Sequence, residues 1–272
     1  MRSLRNRVIV ITGASSGIGR AAALAFASRG SNVVLAARRI ERLEEIRVEV
    51  ERMGAKALVV PTDVTAPGHV QRLIDASVEH FGQIDVLVNN AGAGLMGSFV
   101  ETPMEEVRRL FDLDFLAAAD VMQAGLKVME RQERGVIINV SSAAGLLPTP
   151  YMPIYNSAKA ALVMLSESVN AEYLGTQIRI VAFCPAMTRT EFGTATRRMG
   201  RYRIWVRPGG AASAEWVAEK LVSTALHPKP LVTVGRVPIL PASLVKLLLP
   251  RLYYFGIRWY RDQMQRANPP EE

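Results

Sequence analysis

The chain has one cysteine, Cys184, and three histidines in 272 residues, and that scarcity narrows the chemistry. A lone cysteine forms no internal disulfide and fits a reducing compartment, with a buried strand as its expected place. His69, His80 and His227 are isolated, with no Cys or carboxylate at metal-ligand spacing, so metal catalysis is not expected. Long apolar runs are also lacking. Val8-Ile9-Val10-Ile11 is too short for a signal peptide and the right length for a strand, so the protein reads as unexported and cytoplasmic. Acidic residues number 25 against 33 Lys and Arg, a net charge of +8. The excess concentrates in Arg197 to Arg207 and in Lys246 to Arg266, without the aromatic-basic interleaving of a nucleic-acid platform, and nucleic acid is not an expected partner. What is present is 49% hydrophobic and 21% charged, a globular chain with ample core.

Strand and helix patterns alternate along the chain. Val8 to Thr12 reads as a strand, Gly13-Ala14-Ser15-Ser16-Gly17-Ile18-Gly19 as a glycine turn, and Arg20 to Arg29 as a helix. Glycines let the backbone approach a pyrophosphate, and a helix N-terminus supplies free N–H groups and the positive end of a dipole. Asn32 to Ala37 is the second strand. Arg38-Arg39 follows where such folds meet the adenosine ribose; a carboxylate is missing there, so a 2′-phosphate, and NADP over NAD, is favoured. The next helix carries an apolar stripe of Ile40, Leu43, Ile46, Val50 and Met53. Strand Lys56 to Val60, helix Pro67 to Phe81 and strand Val86 to Val88 come next. One long helix is expected over 103–131, then strand Gly135 to Val140, a Pro-rich loop, and a helix bearing Tyr155 and Lys159. After it come strand Gln177 to Phe183, a lid at about 188–212, a helix from Ser213 to Leu226 and a short strand Leu231 to Gly235. This alternation means a doubly wound parallel α/β sheet of about seven strands with helices on both faces. Residues 1–235 form that domain and 236–272 an apolar, basic extension. Its prolines and charges exclude a membrane span, leaving a substrate flap, a subunit contact or a segment lying on a bilayer.

Tyr155 and Lys159 stand four residues apart, one above the other on a helix. Lowering a tyrosine pKa by about three units takes about 4 kcal/mol. A cation at ~4 Å supplies roughly that at an effective dielectric of ~20, so Tyr155 is expected to exchange protons near neutral pH.

Thr12-Gly-x-x-x-Gly-x-Gly19, Asp63-Val64, Asn89-Asn90-Ala91-Gly92, Ser142, Tyr155-x-x-x-Lys159 and Pro185 to Thr190 occur in an order and at intervals that resemble the short-chain dehydrogenase/reductase family, over about residues 6–235. The resemblance implies a Rossmann-like domain that transfers a hydride between a nicotinamide and a carbonyl or alcohol carbon. It implies that Ser142 bonds the substrate oxygen, Tyr155 exchanges its proton, and Lys159 holds the nicotinamide ribose and lowers the tyrosine pKa. Cofactor contacts implied are Gly13, Ser15, Ser16, Gly17, Ile18, Gly19, Arg38, Asp63, Val64, Asn89, Ala91, Gly92, Pro185, Thr188 and Thr190. Family-like partners are a homodimer or homotetramer, with the Tyr155 helix as a contact helix. Two positions depart from the pattern: Asp114 stands at the usual Asn, and Ala186 at the usual Gly. The expected substrate is a hydrophobic small molecule, lipid- or steroid-like, walled by Gly94-Leu95-Met96, Leu146-Leu147, Tyr151-Met152 and Ile204-Trp205. The lid arginines Arg197, Arg198, Arg201 and Arg203 leave an anionic carrier open. A scaffold of the same fold without turnover, motivated by Asp114, is the alternative.

Overall fold

In a computed structural model describing residues 3–200, 210–235 and 239–266, the alternation becomes one seven-stranded parallel sheet. Its strands are Val8–Thr12 (β1), Asn32–Ala37 (β2), Ala57–Pro61 (β3), Val86–Asn89 (β4), Arg134–Val140 (β5), Gln177–Pro185 (β6) and Leu231–Val234 (β7). They lie in the order β7-β6-β5-β4-β1-β2-β3. β1 is flanked by β2 and β4, with Val10 opposite both Val34 and Leu87. The winding direction reverses beside β1, which opens a crevice beyond the carboxyl ends of β1 and β4, where ligands bind in such sheets.

The central strands are largely apolar runs, such as Val8-Ile9-Val10-Ile11 in β1 and Val136-Ile137-Ile138 in β5, because helices cover both faces. Gly17–Ala27 (α1), Ile40–Arg52 (α2) and Ala214–Leu226 (α7) cover one face, inserting Phe26, Leu43, Ile46, Val50 and Leu221. His69–Phe81 (α3), Ala117–Gln132 (α5) and Pro153–Glu172 (α6) cover the other, with Leu73, Ile74, Val121 and Met129 in the core. Ile40 and Met53, the ends of the expected stripe on α2, are exposed. Helix α1 starts at Gly17, inside the glycine turn, three residues before the apolar pattern begins.

The long helix expected over 103–131 is interrupted. Met104–Phe111 (α4) passes into a π-helical turn, Asp112–Leu116, before α5. The wider turn carries Asp114 into the interior, where it is fully buried, and such insertions concentrate at functional sites.

The segment after β6 is held over the crevice by two short parallel pairings, Thr188–Arg189 with Ala212–Ser213 and Leu95–Met96 with Arg197–Arg198. The extension forms two helices, Ile239–Leu248 (α8) and Pro250–Arg266 (α9). Pro250 opens α9, where its missing N–H costs no bond. Among the described residues no helix is long and apolar enough to cross a membrane.

Candidate active site

A cavity of about 1230 Å³ fills the crevice, running from the glycine turn and Arg38-Arg39 at one end to Ser142, Tyr155 and Lys159 at the other. Between them it is lined by Asp63, Val64, Ala91, Gly92, Pro185, Thr188 and Thr190.

At the glycine end, Ser15, Ser16, Gly17 and Ile18 line the cavity where α1 begins. Gly17 has φ +54°, a conformation costly for a residue with a Cβ. Gly19 does not face the cavity; a Cβ there would collide with the Gly13 carbonyl oxygen, so it serves turn-to-helix packing. α1 has no acidic residue in its first turn, leaving its positive end uncompensated for an anion. Arg39 donates from Nε to Ser15 Oγ at 3.2 Å and pairs through Nη1 with Glu191 Oε2 at 3.0 Å. Arg42 meets the other Glu191 oxygen at 2.9 Å. The bond from Arg39, opposed by burial and reinforced by the bond from Arg42, holds the Glu191 carboxyl below the usual range. Arg38 is exposed on the cavity rim, on the same side as Asp63, whose pKa is lowered first by its bond from Thr65.

Asn89 is placed away from the cavity. Its Nδ2 donates to the Ala118 carbonyl at 2.7 Å and to Asn139 Oδ1 at 3.1 Å, and Asn139 in turn donates to Ser166. This buried network ties β4 and β5 to α5 and α6. Asn90 lines the cavity instead, with its backbone N–H on Thr12 Oγ1 and its Nδ2 on the Thr12 carbonyl.

At the other end, Tyr155 is buried, and Lys159 Nζ lies 5.8 Å from its ring centroid. Ser142, at the end of β5, lines the same wall and caps a short turn by accepting from the Ala144 N–H. Ser141 is structural. Its buried hydroxyl donates to the Lys159 carbonyl at 2.8 Å and anchors α6 to the sheet. Lys159 Nζ is 2.9 Å from Asp114 Oδ2, while Asp114 Oδ1 accepts the Ala93 N–H at 2.8 Å.

This geometry changes the expected electrostatics. Lys159 lowers the Tyr155 pKa, and a bond with Ser142 helps, but burial dominates and Asp114 adds to it, so the phenol lies above its ordinary value. The ammonium is held by Asp114. Burial alone would lower the Lys159 pKa; Asp114 and then Tyr155 reverse that and raise it. Asp114 is raised by burial, with Lys159 pulling the other way. Tyr155 is thus a protonated donor at neutral pH, facing a proton-bearing pair beneath it.

The profile of the family described as "short chain dehydrogenase" matches residues 7–200. The chain belongs to the short-chain dehydrogenase/reductase family. It is 33% identical over 269 residues to the 11-beta-hydroxysteroid dehydrogenase 1A of Arabidopsis thaliana, covering 94% of this chain and 76% of that one. Its fold superposes on a short-chain dehydrogenase/reductase of Burkholderia phymatum in complex with NAD, with TM-score 0.79 and 27% identity, covering 100% of this chain and 99% of that one. An alcohol dehydrogenase of Thermococcus sibiricus, complexed with 5-hydroxy-NADP, gives TM-score 0.76 and 27% identity, covering 85% and 97%.

As a short-chain dehydrogenase/reductase site, the cavity suits a dinucleotide on its own geometry: room for an extended ligand, an open helix N-terminus at mid-length, and arginines at the ribose end. A bound nicotinamide supplies hydride chemistry; the protein supplies orientation and charge. Ala186, the second departure, is not among the described non-glycine residues with positive φ, which are Asn6, Glu133 and Tyr151, so nothing there requires glycine.

The apolar walls are Leu95, Leu110, Met152 and Phe192, whose ring lies 5.7 Å from that of Tyr155. Met96 and Tyr151 pack in the cluster behind them. Leu146 packs instead against Val163, Ala182 and Cys184, and Leu147 is not in the lining. Ile204, Trp205, Arg201 and Arg203 lie outside the described residues. Sequence reading missed Glu106, Glu191 and Tyr260. Glu106 is buried and pairs with Arg197 at 3.0 Å, yet in sequence it was one charge among several on an amphipathic helix. Tyr260 comes from α9, and with Met264 it packs into the cluster that holds Tyr155. Gln265 Nε2 donates to the Tyr151 hydroxyl at 2.7 Å. One face of the extension therefore forms part of the cavity wall.

Proposed function

We propose that the protein is an NADP(H)-dependent oxidoreductase that moves a hydride between a nicotinamide and a carbonyl or secondary alcohol of a hydrophobic small molecule, with Tyr155 as general acid and base. The observation carrying this reading is the convergence of Ser142, Tyr155 and Lys159 on one wall of a cavity whose far end offers α1, Arg38 and Arg39. Ser142 holds the substrate oxygen by a hydrogen bond. In reduction Tyr155 gives that oxygen its proton, and the Lys159 ammonium stabilises the phenolate formed. Lys159 also holds the nicotinamide ribose.

Support for NADP rather than NAD comes from the ribose end, where Ala37 is succeeded by two arginines and Ser15 Oγ is bonded to Arg39. Support for a lipid- or steroid-like substrate comes from Leu95, Met152, Phe192 and Tyr260 in the lining, and from the hydroxysteroid dehydrogenase name of the Arabidopsis relative. Arg197 pairs with Glu106, which argues against its serving an anionic carrier. The buried Asp114–Lys159 contact favours a second reading, a nucleotide-binding scaffold in which Lys159 is occupied by its counter-ion. Screening ketones by NADPH absorbance, with Tyr155→Phe as control, separates the two. Turnover abolished in Tyr155→Phe supports the oxidoreductase; NADPH binding without turnover on a broad panel supports the scaffold. A homodimer through the half-buried Ala161 and exposed Met164 of α6 is part of the proposal, and sedimentation of Met164→Glu tests it.

A further inference from the structure

The extension has a second face that the catalytic reading leaves unused. Leu244, Leu248, Leu252, Phe255 and Trp259 recur at three- and four-residue spacing, so they follow one stripe along α8 and α9. The joint at Pro250 preserves it, because Leu249 N–H bonds the Val245 carbonyl and Tyr253 N–H bonds the Leu249 carbonyl. Leu247 is 75% exposed, Leu248 70% and Phe255 71%. Soluble monomers seldom expose a contiguous apolar band of this size.

Charge decides what covers it. Between 239 and 261 the sequence has Lys246, Arg251, Arg258 and Arg261 and no acidic residue. Arg251 and Arg258 lie beside the stripe on α9, both exposed. A second copy on this face would set like charges against each other, whereas an anionic bilayer would pair them while taking up the apolar side chains.

We infer that α8 and α9 lie in the plane of an anionic lipid bilayer, Leu247, Leu248 and Phe255 embedded and Arg251 and Arg258 at the headgroups. The opposite side of α9 places Tyr260 in the cavity lining and Met264 in the buried cluster that holds Tyr155. One helix therefore touches both compartments, placing the cavity mouth where an apolar substrate would partition. This inference does not depend on turnover or on the choice of nicotinamide.

Flotation of the full chain with phosphatidylcholine vesicles, with and without phosphatidylserine, tests it. The expected result is binding to phosphatidylserine vesicles at least about tenfold stronger than to phosphatidylcholine alone, and weakened by salt. Leu248→Glu/Phe255→Glu should lose about tenfold or more on both vesicles, and Arg251→Glu/Arg258→Glu only on the anionic ones. The substituted side chains are exposed, and an unchanged thermal midpoint checks the fold; Leu247→Ser/Leu248→Ser is the milder second variant. Absence of binding to either vesicle, or equal binding of wild type and both apolar variants, overturns the inference. So does self-association in solution that Leu248→Glu/Phe255→Glu abolishes, since the stripe is then an interface between copies.

Discussion

The two ends of the cavity treat charge in opposite ways. At the proton-transfer end, Lys159 and Asp114 meet at 2.9 Å with side chains 5% and 0% exposed. At the ribose end, Arg39, Arg42 and Glu191 meet at nearly the same distances but remain almost half exposed. Water and salt screen the second group, so each contact there is worth about 0–1 kcal/mol and partners exchange readily. The first group is dry, and removing either partner leaves an unpaired buried charge. In the proposed reading, proton transfer falls where electrostatics are strong and fixed, and cofactor recognition where they are weak and exchangeable.

The sharpest way to break this contrast is at the phenol itself. Tyr155→Phe should reduce turnover by about 10²–10⁴-fold while NADPH affinity, read by fluorescence, changes less than about twofold. Next comes the pair beneath it. Lys159→Met should cost about 3–5 kcal/mol in urea unfolding, because Asp114 is left buried and unpaired; Lys159→Met/Asp114→Leu should recover most of that.

The ribose end should respond less. Arg39→Ala is expected to weaken NADPH binding about tenfold, with NADH nearly unchanged and stability altered by less than about 1 kcal/mol. Glu191→Gln is the smallest change: stability should stay within about 1 kcal/mol, and NADPH should bind somewhat tighter because Arg39 is released to the 2′-phosphate. Equal effects on NADPH and NADH would count against Arg39 as the discriminating group.

Much of the sheet could be read from the chain because its strands are short, largely apolar runs bounded by turn residues, and the amphipathic period of α2 marked Leu43, Ile46 and Val50 as core, while the stripe's ends, Ile40 and Met53, are exposed. The π turn was not legible: 103–131 has an unbroken helical composition, and no local signal marks where one extra residue is inserted. Asp114 stands out in the sequence by its position against a family pattern, but its depth and its contact with Lys159 are set by the fold. That depth also reversed the expected Tyr155 shift, since a helix-spacing argument includes the nearby cation and omits both burial and the cation's other partner. Asn89 and Asn90 could not be told apart by composition; strand alternation sends one into the β4–α5 network and the other to the cavity. The place of Tyr260 in the cavity wall depends on contacts more than a hundred residues apart in sequence, which periodicity cannot register.

We propose that Asp114 acts on Tyr155 through charge, holding the phenol protonated and Lys159 paired. The most direct measurement of this effect is the pH dependence of alcohol oxidation in wild type and Asp114→Asn. Removing the carboxylate removes an influence that raises the Tyr155 pKa, so the phenolate needed as base should form at lower pH, and the acidic limb of the profile should move to lower pH. Superimposable profiles, or a limb displaced to higher pH, would mean that the Asp114 charge does not raise the Tyr155 pKa.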